Sequence, residues 1–159
     1  MSENYTFFIQ GSAPSPYRLE LSLDPVSISC TCQAGIMGIP CKHRLGVLNG
    51  HTHEIIGLTP AIEGAVAIAA EIIQKSEIPD YLQKYENAKK DAKVKNDNSE
   101  KAFKKYREAI IAHALGKGTK KAADTASAAL DAAMQNCVDA AAETESLIQA
   151  LRTIFVRPE

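Results

Sequence analysis

Net charge, long apolar runs and catalytic signatures are what this sequence has least of. Its 18 Lys and Arg nearly balance 19 Asp and Glu, for a net charge of -1, which excludes a chain that is basic throughout and coats nucleic acid. The longest apolar run, Ala65 to Ala70, falls far short of the roughly 20 residues a bilayer-spanning helix needs, so no membrane partner is expected. Met1-Ser2-Glu3-Asn4 has no positive charge and no long apolar run follows, so no signal peptide is expected. There is no phosphate loop, no G-x-G-x-x-G and no H-E-x-x-H, and the carboxylates are scattered without a defensible pairing. No enzyme is expected. Only four cysteines are present, at 30, 32, 41 and 137; this is not the usage of an extracellular disulfide scaffold and points to a reducing, cytoplasmic compartment.

What is present divides the chain. Residues 1–83 carry 4 basic and 8 acidic side chains, residues 84–121 carry 12 and 5, and residues 122–159 carry 2 and 6. The neutrality is therefore made of three unlike blocks. Tyr5, Phe7 and Ile9 alternate as on a strand, as do Tyr17, Leu19, Leu21 and Leu23, and Val26 and Ile28 run from the turn signal Asp24-Pro25 into Cys30. After Cys41 the period changes: Leu45, Val47 and Leu48 fit a short helix that Asn49-Gly50 stops.

From Thr59 the chain reads helical. Thr59 caps and Pro60 opens a helix striped by Ile62, Val66, Ala69, Ile72 and Ile73. A second helix starts near Asp80 and breaks at Asn96-Asp97-Asn98-Ser99, a third ends at Gly116-Lys117-Gly118, and the last runs from Thr119 to about Phe155. On it Leu130, Met134, Cys137, Ala141, Thr144, Ile148, Leu151 and Phe155 form a heptad seam. That seam must pack against the preceding helices or against a second copy of the chain as a homodimer. The expected architecture is α+β: a β-hairpin and short-helix module over 1–58, then an antiparallel bundle of three to four helices over 59–159.

The chemistry is concentrated in Cys30-Thr31-Cys32, eight residues, then Cys41-Lys42-His43. On a strand, residues two apart point the same way, so Cys30 and Cys32 present both sulfurs to one point. Gly35, Gly38 and Pro40 let the intervening loop return a second pair. Three thiolates and one imidazole make the ligand set of a closed, tetrahedral structural Zn²⁺ site. The plainer alternative is ordinary buried cysteines beside a core histidine. A redox pair is a further alternative, disfavoured because C-x-C is not the C-x-x-C of thioredoxin-like sites. His51 and His53 offer a second His-x-His pair, but fit a polar linker better than a ligand role.

Over residues 5–50 this pattern resembles the SWIM-type zinc finger, C-x-C followed by a variable loop and C-x-H. The resemblance implies that Cys30, Cys32, Cys41 and His43 bind Zn²⁺, that a β-hairpin leads into a helix, and that the module binds DNA or protein. The helical remainder resembles no family recognised from its sequence. Lys42 and Arg44 flank His43, where they offset the -1 formal charge of a three-thiolate zinc site or meet a phosphate. Lys104, Lys105 and Arg107 lie in the basic block with Phe103 and Tyr106 interleaved, as on a surface that meets a phosphate backbone; a solvated helical face is the alternative. The expected partner is therefore nucleic acid, or failing that a protein docked by the zinc module or the alanine-rich seam.

Overall fold

The computed structural model describes residues 4–158. Strands β1 (Asn4–Ile9), β2 (Tyr17–Leu23) and β3 (Val26–Cys30) form where period-two alternation places them, with Asp24 and Pro25 joining the last two. Two short helices follow, α1 (Gln33–Ile36) and α2 (Lys42–Leu48), then a strand of two residues, β4 (Ile55–Ile56), and three longer helices, α3 (Pro60–Gln74), α4 (Ile78–Ala114) and α5 (Lys120–Leu151). The architecture is α+β. The sheet is antiparallel in the order β3-β2-β1-β4. β4 and α1 are too short to leave a period in the sequence, and both were invisible there.

The chain divides into two compact units, one running to Gln83 and resuming at Ile148, the other spanning Lys84–Leu147. In the first, Phe7 and Ile9 on β1, Leu19 and Leu21 on β2, and Ile28 on β3 turn inward and are buried. Helix α3 packs against α2, β1 and β2. Thr59 caps it by accepting a hydrogen bond from the Ile62 amide at 3.3 Å, and Ala65, Val66, Ala69, Ala70 and Ile73 form its buried side. Ile72, expected on that side, is exposed, because the buried arc runs from Ala65 to Ala70 through Ile73 and Ile72 falls just beyond its edge. The unit around the sheet thus takes in α3 and the C-terminal segment as well as the strands and short helices.

That segment departs from the expected helix. α5 ends at Leu151, after which the chain extends: the Ile28 amide donates to the Ile154 carbonyl at 2.7 Å and Phe155 makes a parallel bridge to Ile28. Phe155 is almost fully buried. It sits at the free edge of β3 and closes part of that edge.

The second unit contains an antiparallel helical hairpin. The expected break at Asn96-Asp97-Asn98-Ser99 does not occur: α4 is continuous through it. Asn96, Asp97 and Asn98 are exposed, and Asn96 Nδ2 donates to Glu100 Oε1 at 3.3 Å along the helix surface. Only Ser99 turns inward, and it falls in register with Ala92, Lys95, Ala102, Tyr106 and Ala109 in an unbroken inward stripe. Packing against α5 overrides the weak local propensity of these polar residues.

The inward stripe of α5 is Ala123, Ala126, Leu130, Ala133, Cys137, Ala140, Thr144 and Leu147. It shares Leu130, Cys137 and Thr144 with the expected seam but takes Ala133 and Ala140 in place of Met134 and Ala141, which are exposed. On α4 Lys95 pairs with Asp91 one turn earlier at 2.7 Å, and its ammonium is held above its ordinary range chiefly by that bond, with Glu143 and Asp139 of α5 adding to the effect.

Truncating the buried ring tests the role of the C-terminal segment. Phe155→Ala is expected to cost about 3–5 kcal/mol in urea unfolding, whereas Ile72→Ala, at an exposed site of α3, is expected to change stability by no more than about 0.5 kcal/mol.

Candidate metal centre

Four buried residues converge in the first unit. One ligand atom from each of Cys30, Cys32, Cys41 and His43 lies within 4.8 Å of the other three. Each is placed by a local device. Cys30 is the last residue of β3, paired with Leu19. Beyond it Thr31 is pinned to β2 twice: its amide donates to the Arg18 carbonyl at 3.0 Å, and its hydroxyl accepts from the Arg18 amide at 3.0 Å. Cys32 is extended and becomes the N-cap of α1, its sulfur accepting from the Gly35 amide at 3.4 Å. The i, i+2 pair expected on one strand is thus split between a strand end and a helix cap.

Cys41 is in turn the N-cap of α2, which places His43 in that helix's first turn. The positive end of the α2 peptide dipoles favours a thiolate there. His43 Nδ1 lies 3.8 Å from Cys30 Sγ, which makes it the nitrogen on the sulfur side. Its Nε2 is buried without a hydrogen-bond partner, and the ring is tilted against Tyr17 at 4.8 Å between centroids.

Two glycines are required by close approach. A Cβ on Gly35 would stand 1.9 Å from the Cys30 carbonyl oxygen, which is backbone and has no room to move. A Cβ on Gly11 would meet the Tyr17 ring at 2.3 Å and His43 Nε2 at 2.9 Å. The sequence marked Gly35 only as a loop residue. Its role is to let α1 pass directly over the end of β3.

The electrostatics of the cluster call for a cation. The Cys41 thiol is lowered to about 4, first because the Cys30 thiol beside it donates to its thiolate, with the Arg44 amide and positive charge assisting against the cost of burial. Cys30 is pushed up by the same contact and by burial. Thiols this close oppose one another's ionisation, and a divalent cation relieves that opposition, because a coordinating thiol is deprotonated outright.

The donor set fits zinc. A tetrahedral ion with Zn–S bonds of ~2.3 Å needs sulfurs about 3.8 Å apart, which is within the span of the cluster. All four cysteines are free of disulfides. His51 and His53 lie outside the cluster, their rings 5.9 Å apart in the loop that leads to β4.

The remaining candidate residues fall in different places. Lys42 is exposed at the start of α2. Arg44, expected beside it at the surface, is 0% exposed. Its guanidinium donates to the Val156 carbonyl at 3.0 Å and to the Ile39 carbonyl, and lies 5.0 Å over the Phe155 ring. Helical rotation explains the difference, since two positions after Lys42 the side chain points inward. Arg44 is a clamp between the zinc loop, α2 and the C-terminal segment, and sequence alone gave no sign of it because its acceptors are backbone carbonyls. Lys104, Lys105 and Arg107 are all exposed on α4 in the second unit.

Removal of a ligand and obstruction of the loop are expected to have one outcome. Cys32→Ser and Gly35→Ala should both fall well below one zinc per chain by elemental analysis and lose protease resistance up to α2, since metal binding in such modules contributes roughly 10–16 kcal/mol. Arg44→Ala should lower stability by about 3 kcal/mol, by leaving the Val156 and Ile39 carbonyls without their charged donor.

Residues 9–49 match the family model of the SWIM zinc finger, a stretch that holds all four ligands and about a quarter of the chain. This part of the chain is a zinc-binding module of that type. No match is found among curated proteins or among solved structures.

Proposed function

We propose that the chain is a non-catalytic nucleic-acid-binding protein, in which zinc holds the first unit together and the basic end of the helical hairpin meets the phosphate backbone. A closed set of four protein ligands leaves zinc no open position for a substrate, so its contribution is structural. The observation that carries the reading is the distribution of charge on the hairpin. Between residues 100 and 121 there are 7 basic and 2 acidic side chains, among them the exposed Lys104, Lys105 and Arg107. Lys101, Lys105 and Lys121, with Asn98, Thr119 and Thr125, surround a groove that is otherwise lined by Ala102, Ala122, Ala126 and Ala129. The lysines and neutral donors beside this apolar groove suit phosphate contact without base readout. On the zinc module Lys42 is the exposed cation beside the site; Arg44 is committed to the fold and has no part in binding.

A protein-binding role is the competing reading, favoured by Phe8 and Ile56, which are register partners on β1 and β4 and are both exposed. No helix among the described residues is long and apolar enough to cross a membrane.

Salt separates the two readings. Binding of the zinc-loaded chain to short single- and double-stranded nucleic acid is expected to weaken steeply from 50 to 200 mM salt, roughly tenfold or more for a few phosphate contacts. Lys104→Ala/Lys105→Ala/Arg107→Ala should weaken it further and flatten the slope. Absence of binding even at low salt would overturn the proposal in favour of a protein partner.

A further inference from the structure

The helical hairpin has its small side chains inside and its large ones outside. Its inward stripes are mostly alanine, whereas Phe103 is 51%, Met134 54% and Val138 61% exposed, and Ile110 is exposed too. These residues share a face. Numbering each inward stripe as the a and d positions of a heptad puts Phe103 and Ile110 of α4 and Met134 of α5 at e, one step to the same side, with Val138 next to them at b. In an antiparallel pair the e positions of both helices flank one side of the seam and the g positions the other. The g side is directly visible: Asn98 and Lys105 of α4 line a single groove of about 750 Å³ with Ala122 and Ala129 of α5. The e side is the opposite one, and it is apolar and uncovered within the chain.

Charge selects what covers it. The α4 portion between residues 84 and 114 carries 9 basic and 5 acidic side chains, whereas α5 between 122 and 147 carries 5 acidic and no basic ones. The hairpin is thus a basic helix beside an acidic helix, a surface complementary to itself after one kind of rotation. A two-fold axis parallel to the helices lays α4 of one copy on α5 of the other. A two-fold axis across them lays basic on basic.

We propose that this face is a homodimer interface, in which two hairpins close into a four-helix bundle with each α4 antiparallel to α5 of the second copy. The parallel two-fold turns the e and b positions of α4, where Phe103, Ile110 and Lys93 stand, onto those of α5 of the second copy, where Met134, Val138, Asp124 and Asp131 stand, each contact occurring twice. Such an isologous interface closes and does not propagate into fibres, and left-handed four-helix packing accommodates it. Apolar side chains that a single hairpin leaves in water are buried, which supplements a seam whose alanines each hide little area. This interface stands whether or not the chain binds nucleic acid.

The test is the mass of the full-length, zinc-loaded chain by light scattering and sedimentation, with helix content followed in parallel. The wild type is expected at twice the 17.1 kDa chain mass. Phe103→Glu/Met134→Glu is expected at the monomer mass. Lys89→Glu/Lys93→Glu on the flank of α4 and Asp124→Lys/Asp131→Lys on the flank of α5 should each weaken dimerisation roughly three- to tenfold, and combining the two sets should restore it. A monomeric wild type at ~100 µM, well above the micromolar range where such interfaces act, would overturn the proposal. So would a Phe103→Glu/Met134→Glu protein that remains dimeric. Charge exchanges that fail to rescue one another would overturn the α4-on-α5 arrangement.

Discussion

Three sulfurs and an imidazole buried within 4.8 Å of one another are the constraint on which the first unit is built. Thiols that close compete for protons, as the opposite displacements of Cys30 and Cys41 show, and only a cation lets all three carry charge together. Zinc therefore does more than bind a finished pocket. It ties the end of β3, the cap of α1 and the cap of α2 to a single point, and for two helices of only four and seven residues that connection supplies the fixing that so short a helix lacks on its own.

The consequences spread through Arg44. Its burial would be costly without partners, and its partners come from both ends of the chain: the Ile39 carbonyl in the zinc loop, the Val156 carbonyl and the Phe155 ring. The positive charge near Cys41 also offsets the excess negative charge of a three-thiolate site. One side chain thus links the metal loop to a segment 112 residues away, and that segment in turn closes part of the edge of β3. Residues 154–156 belong to the fold of the zinc module although about 110 residues separate them from it.

The second unit rests on a different economy. Alanines on the inward stripes bring α4 and α5 together with little loss of side-chain entropy, but each buries little. The heptad period is sustained through polar residues such as Lys95 and Ser99, and Lys95 is accommodated because its ammonium pairs with Asp91 one turn earlier. What the seam lacks in area is displayed on the flank by Phe103, Ile110, Met134 and Val138. The segregation of basic residues to α4 and acidic residues to α5 gives the hairpin a polarity that local pairing alone does not use.

The strands, the cap at Thr59 and the metal set were legible in the sequence because each depends on spacing along the chain: alternation for Phe7 and Ile9, paired i, i+2 donors for Cys30 and Cys32, a polar cap before Pro60. The helix through Asn96–Ser99 was not, because propensity there argues for a break and only the packing of α5 decides against it. Nor was the direction of Arg44, whose acceptors are main-chain carbonyls that any sequence offers. The seam of α5 was half legible: a heptad allows two adjacent stripes, and the choice of Ala133 and Ala140 over Met134 and Ala141 depends on how close the opposing helix comes. Spacing alone thus determined which residues hold the metal and where β1, β2, β3, α2 and α3 begin. The tertiary structure decided which side of each helix is interior, because that is settled by the distance to a neighbour and not by the period.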